Sequence, residues 1–307
     1  MNITIILCTY NRCECLAKTL DSIAALRLPE SVEWEVLVVD NNSTDRTREV
    51  VEEFCCRYTG RFRHLFEPQQ GKSYALNAGI REARGDVVAF TDDDVIVEPT
   101  WLLNLTIPLA TKNWVGVGGR TLPQADFTPP AWLGLRPPYV YGPWGIFDLG
   151  DSACELTESP FGNNMAFRRE VFEKYGYFRT DLGPRPGSEI RSEDTEFVHR
   201  ILTAGGHLCY EPSAVLYHSV PSNRIQKKHL LTWWSAKARA NVTEYGVPAG
   251  TRWFVMGVPL YLFRRLAVWT LKWLFSFDAA RRFHSRLHAW IVRSEIKEHF
   301  AQARLRK

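Results

Sequence analysis

Val87-Val88-Ala89-Phe90-Thr91-Asp92-Asp93-Asp94 passes without a break from an apolar run into three adjacent carboxylates. The first part is short, branched and aromatic, the pattern of a strand buried on both faces. The carboxylates repel one another and are tolerable together where a cation neutralises them. Mg²⁺ or Mn²⁺ takes oxygen ligands and commonly bridges one or two carboxylates to phosphates. A solvated acidic turn or a helix cap is the plain alternative. A strand end on an α/β sheet favours the cation.

Working back from this run, strand and helix patterns alternate through the first 95 residues. Residues 3–8, 34–39 and 61–66 read as further strands, and 14–26, 44–58 and 72–84 as helices. Such alternation implies βαβ units: an α/β fold with a mostly parallel central sheet and flanking helices. Open sheets of this kind bind ligands beyond the carboxyl ends of their strands. Three polar clusters stand there: Thr9-Tyr10-Asn11-Arg12, Asp40-Asn41-Asn42 and Thr91-Asp92-Asp93-Asp94. Working forward, residues 122–150 are rich in Pro, Trp, Tyr and Gly and read as a lid or binding loop. Its aromatic stretch from Trp132 to Trp144 suits either a lid core or a sugar-stacking surface. Residues 169–174, 193–204 and 230–245 read as helices, and 209–218 as a strand.

Several classes are excluded. Gly71-Lys72-Ser73 resembles the end of a phosphate-binding loop, but Phe66 stands where that motif needs glycine. No G-x-G-x-x-G follows the first strand, against a dinucleotide fold. The seven cysteines form no CxxC pair and read as reduced thiols. No secretory leader is expected, which places the chain in the cytoplasm. Charge is uneven. Residues 252–307 carry twelve Lys and Arg against three Asp and Glu, and the remainder 26 against 31. Apolar runs at 253–263 and 266–275 are split by Arg264-Arg265 and interrupted by Pro259 and Lys272. Neither reaches the roughly 20 residues of a spanning helix. Aromatic residues flanked by arginine suit amphipathic helices lying on a membrane surface, with a core helix pair or dimer interface as the alternative. No nucleic-acid motif is present.

Six motifs, in order, resemble family 2 glycosyltransferases: Cys8-Thr9-Tyr10-Asn11-Arg12, Val38 to Asp45, Gly71 to Gly79, Thr91 to Asp94, Phe161 to Arg168, and Ser192 to Glu196. The resemblance runs from Ile3 to about Tyr245. It implies an A-type glycosyltransferase fold and an inverting, metal-dependent enzyme. The donor would be a nucleoside-diphosphate sugar, with a lean to UDP, and the acceptor a glycan or lipid-linked hydroxyl in polysaccharide or glycolipid assembly. Residue by residue, Thr9, Tyr10, Arg12, Asp40, Lys72, Asp92 and Asp93 would bind the nucleotide-sugar. Asp94 and His218 would hold Mn²⁺ or Mg²⁺. Asn163, Asn164 and Glu193 would face the donor sugar or acceptor, and Asp194 would be the base. Arg224 or Lys227 would reach the diphosphate. The expected organisation is a catalytic domain at 1–245, with a nucleotide half at 1–95 and an acceptor half at 96–245, then a basic helical tail at 246–307 on the cytoplasmic membrane face. A sugar-phosphate nucleotidyltransferase and a non-catalytic sugar-nucleotide scaffold are the alternatives.

Overall fold

The computed structural model describes residues 1–110, 113–124, 127–133, 144–185, 192–220 and 225–305. They divide into two compact units, residues 1–125 with 145–219, and 126–144 with 220–307.

The first unit begins as the sequence alternation predicts: β1 (Asn2–Thr9), α1 (Cys13–Ala24), β2 (Glu33–Asp40), α2 (Thr47–Arg57), β3 (Phe62–Phe66), α3 (Lys72–Glu82) and β4 (Val87–Asp92). It continues with β5 (Val95–Val97), α4 (Trp101–Ala110), β6 (Gly116–Pro123), β7 (Cys154–Leu156), β8 (Met165–Arg168), α5 (Glu170–Tyr175), α6 (Glu193–Thr203) and β9 (Leu208–His218). The sheet order is β3-β2-β1-β4-β8-β6-β9-β5, with β7 added against β9. From β3 to β4 every pairing is parallel. Beyond β4, β8 enters antiparallel, and β6 and β9 pair parallel to each other.

Both faces of the sheet are covered, which explains the continuous apolar strands. Alternate residues Ile3, Ile5, Leu7, Val87 and Ala89 pack with Leu16 and Leu20 of α1 and Trp101 and Leu105 of α4. Ile6, Val88 and Phe90 face the other way, onto Leu76 and Ile80 of α3, Phe172 of α5 and Phe197 of α6. α4 and β6 were not legible in the sequence. Apolar residues surround α4 and Pro108 interrupts it, so it shows no amphipathic period. Glycines at 116, 118 and 119 disguise β6. A Cβ on Gly119 would lie 2.4 Å from the Ala214 carbonyl, so the strand needs glycine there.

The second unit holds α7 (Lys227–Tyr245), a hairpin of β10 (Phe254–Val255) and β11 (Val258–Pro259), α8 (Leu260–Leu274) and α9 (Ala279–Leu305). Pro259 stands at the N-cap of α8, where its missing N–H costs little. Leu262 with Val258 of β11 packs against Val292 and Ile296 of α9. Among the described residues, no helix is long and apolar enough to cross a membrane. Part of the expected lid, residues 125–126 and 134–143, lies outside the described residues.

Candidate active site

β1 has β2 on one side and β4 on the other. The strand order reverses here, so a crevice opens at the carboxyl ends of β1 and β4. Thr9 to Arg12 and Asp92 to Asp94 stand at those two ends. Asp93 and Asp94 turn the chain from β4 into β5. β5 then pairs with the end of β9, Val95 opposite His218. This register brings His218 Nε2 to 3.3 Å from Asp94 Oδ1.

Arg12 bridges the turn. Its Nη1 donates to Asp93 Oδ1 and its Nη2 to Asp94 Oδ2, both at 2.9 Å. The Thr9 hydroxyl donates to Asp93 Oδ2 at 2.7 Å. Both carboxylates are buried, yet they differ. Burial pushes Asp93 up to about 6 against the pull of Arg12. At Asp94 burial also opposes ionisation, but His218 and Arg12 overcome it and hold the carboxyl well below its ordinary range. Asp94 thus keeps its charge more readily than Asp93, which is tied to both Thr9 and Arg12.

Lys72 meets the third carboxylate, with Nζ 2.6 Å from Asp92 Oδ1. Asn41 sets the start of its helix. Asn41 accepts from the Gly71 N–H at 2.8 Å and donates to the carbonyls of Glu67 and Gln69 at 3.1 and 2.8 Å. Burial disfavours the Lys72 ammonium, but Asp92 and Glu193 outweigh it, with Asp194 adding to their pull, and its pKa is raised. Glu193 is itself buried. Burial, then the neighbouring Asp194, raises its carboxyl, and Lys72 partly offsets this.

Asp194 opens α6 beside Glu193. Its Oδ2 accepts from the Gly162 N–H at 3.0 Å and its Oδ1 from the Thr195 N–H at 2.7 Å. Ser192 just before it has φ 129°, a strained conformation for a residue with a side chain. The Phe161 to Arg168 motif thus supplies a backbone donor that aims the carboxylate, a role its side chains do not reveal.

The other predicted residues divide. The buried Asp40 ends β2, accepting from the Ser43 N–H at 2.9 Å with His64 Nε2 3.8 Å away. Burial would raise its carboxyl, but His64 and Ser43 lower it. Tyr10 is exposed. Asn163 is buried and takes a long 3.4 Å hydrogen bond from Thr121. A Cβ on Gly145, which has φ +62°, would lie 3.3 Å from Asn163 Nδ2 and 3.7 Å from the His218 ring. Gly145 was not singled out in the sequence because its neighbours show no periodicity. Asn164 spends its side-chain amide within the fold. Its Oδ1 accepts from Trp101 Nε1 at 2.8 Å, and its Nδ2 donates to the carbonyls of Arg120 and Ala214 at 2.9 and 3.0 Å. These bonds join α4, β6 and β9 and make it a clasp within the fold. Asn164→Leu leaves one donor and two acceptors buried and unpaired, at about 1–3 kcal/mol each. Urea unfolding is expected to show a loss of roughly 3 kcal/mol or more, and a loss below about 1 kcal/mol would contradict the clasp.

In the second unit, Lys227 Nζ lies over the Trp132 and Phe283 rings at 5.3 and 5.8 Å. Trp132 meets Phe283 edge-on, with centroids 4.7 Å apart. Arg224 lies outside the described residues.

Asp94 and His218 fit a divalent cation. Two donors at about 2.1 Å and right angles on an octahedral ion stand about 3 Å apart, close to the separation seen here. The buried His218 Nδ1 has no hydrogen-bond partner among the described residues. Among the described residues, no group of three His, Cys, Asp or Glu is arranged to hold a metal. An ion on Asp94 and His218 would therefore complete its shell with phosphate and water oxygens.

The parallel part of the sheet thus brings carboxylates and cations together at its switch point, where open α/β sheets bind ligands. The family model for glycosyl transferase family 2 matches residues 4–176. The succinoglycan biosynthesis protein ExoM of Rhizobium meliloti is 30% identical over 240 residues, 78% of this chain and 72% of that protein. The glucosyl-dolichyl phosphate glucuronosyltransferase of Haloferax volcanii is 27% identical over 229 residues, 72% of this chain and 70% of that one. The mannosyltransferase PcManGT from Pyrobaculum calidifontis, solved in complex with GDP-Man and Mn²⁺, shares the fold. Its TM-score is 0.59 at 23% identity, over 99% of this chain and 75% of that one. The chain belongs to glycosyl transferase family 2.

Proposed function

We propose that the chain transfers a sugar from a nucleoside-diphosphate sugar, with UDP the favoured carrier, to an acceptor hydroxyl in polysaccharide or glycolipid assembly, with inversion. The observation that carries this reading is the linked charge system at the crevice: Arg12 with Asp93 and Asp94, and Lys72 with Asp92, Glu193 and Asp194. Asp194 accepts the proton of the acceptor hydroxyl as that oxygen bonds to the anomeric carbon. The bond from the anomeric carbon to the diphosphate breaks in the same displacement, and negative charge gathers on the leaving group. Lys72 and Arg12 are the cations placed to meet it. Asp94 and His218 would hold Mn²⁺ or Mg²⁺, which when bound supplies further charge stabilisation to the diphosphate. Asp40 sits at the end of β2 as the group to accept from the base, and Asn163 and His218 both border Gly145. The succinoglycan and dolichyl-phosphate names of the two relatives support polysaccharide or lipid-linked acceptors. Such acceptors support a location at the cytoplasmic membrane face.

The test is a panel of UDP- and GDP-sugars with Mn²⁺ or Mg²⁺ and candidate acceptors, read by release of free nucleoside diphosphate and by the anomeric configuration of the product. Binding without turnover across the panel would favour a non-catalytic scaffold. A retained configuration would exclude the single displacement.

A further inference from the structure

We propose that the outer face of α8, together with the β10–β11 turn, is a surface that inserts into the interface of an anionic bilayer. α8 is apolar on two sides. One side, with Leu262, Phe263, Leu266 and Trp269, packs in the cluster with α9. The other carries Leu260, Val268, Leu271, Leu274 and Phe275, which fall along one stripe at helical spacing with Arg264 among them and are all exposed. Leu271 is 55% exposed, Leu274 61%, Phe275 71% and Phe277 98%.

The turn before the helix has the same character. Met256 and Gly257 join β10 to β11 with φ of 51° and 81°. This conformation favours Asn or Gly at the first position, yet here it presents a methionine that is 80% exposed, with Trp253 74% exposed beside it. Apolar groups therefore stand at both ends of a 15-residue helix, about 22 Å long. That is shorter than the roughly 30 Å hydrocarbon core, so the helix suits a position in the plane of the interface.

Charge selects the occupant. Residues 246–292 contain seven Lys and Arg and one Asp. Lys272 lies over Trp269 at 4.5 Å and Arg286 over Trp273 at 5.5 Å, so cations flank the apolar stripe. A two-fold contact between copies would set this basic surface against itself, whereas anionic headgroups complement it. The proposal rests on the transferase reading only for the location of the acceptor.

The full chain is sedimented with vesicles of phosphatidylcholine alone or with about one quarter phosphatidylglycerol, at low salt and at about 0.5 M salt. Binding to the anionic vesicles is expected, falling at least about tenfold without anionic lipid or at high salt. L271E/L274E changes only exposed positions. It is expected to keep its circular dichroism spectrum and lose about a hundredfold or more in vesicle partitioning. No binding of the wild type to anionic vesicles overturns the proposal, as does equal binding by the double variant. Self-association that L271E/L274E abolishes, without vesicle binding, assigns the face to a second copy and overturns it too. Nucleotide-sugar turnover is measured on the same samples. Vesicle binding without turnover would remove the transferase reading and leave the docking surface standing.

Discussion

Asp194→Asn is expected to lower kcat by about 10³-fold, within the 10²–10⁴ range of positioned bases, while nucleotide-sugar affinity changes by less than about threefold. The carboxylate is held by two backbone donors, Gly162 N–H on Oδ2 and Thr195 N–H on Oδ1. An amide is nearly the same size, but it cannot take a proton from an acceptor hydroxyl. Its NH₂ would also face one of those donors, so a stability loss of about 1–3 kcal/mol accompanies the change. This separates the two roles that the start of a helix allows. A residue that only caps α6 would cost about 1 kcal/mol of stability and leave turnover of the folded enzyme intact. Single-turnover rates under saturating donor, alongside urea unfolding, distinguish them. A kcat within about tenfold of wild type removes Asp194 as the base.

The residues of this site could be read from the sequence where chemistry sits at the end of a regular element. β1, β2 and β4 are continuous apolar runs because both of their faces are covered, and each runs straight into polar residues. That pattern needs no knowledge of distant contacts. Pairings across the chain were not legible. Arg12 is separated from Asp93 by 81 positions and from Asp94 by 82, and no periodicity links them. Asn163 and Asn164 are adjacent in one motif, yet Asn164 is spent on Trp101, Arg120 and Ala214. Both amides are buried, and which of them ties to Trp101 is decided by the packing of α4, an element with no amphipathic period to announce it. Glu193 and Asp194 pose the same problem. Successive residues at the first turn of a helix point about 100° apart, and only the fold determines that Glu193 is the buried one.

Asp94→Asn is expected to reduce kcat/KM by about 10³-fold, roughly 4 kcal/mol of transition-state stabilisation, and to remove the stimulation by Mn²⁺. Of the three carboxylates, Asp94 is the one joined to His218 and held well ionised despite its burial. Asn keeps the shape and one oxygen but loses the charge that a hard cation requires. The fold should tolerate the change, because Arg12 keeps Asp93 as a partner. Arg12→Met tests the same ion from the opposite direction. It leaves Asp93 and Asp94 adjacent, buried and without their guanidinium, a defect worth about 3–5 kcal/mol. A cation that binds the folded state alone offsets such a loss by mass action. Mn²⁺ should therefore raise the melting temperature of Arg12→Met by more than that of wild type, and that of Asp94→Asn hardly at all. Thermal unfolding with Mn²⁺ and with a chelator reads all three. If the three proteins respond to Mn²⁺ alike, the cation does not sit on Asp94. Removing a ligand and removing the counter-ion that shares it must shift metal affinity in opposite directions. A general loss of folding would shift both variants the same way.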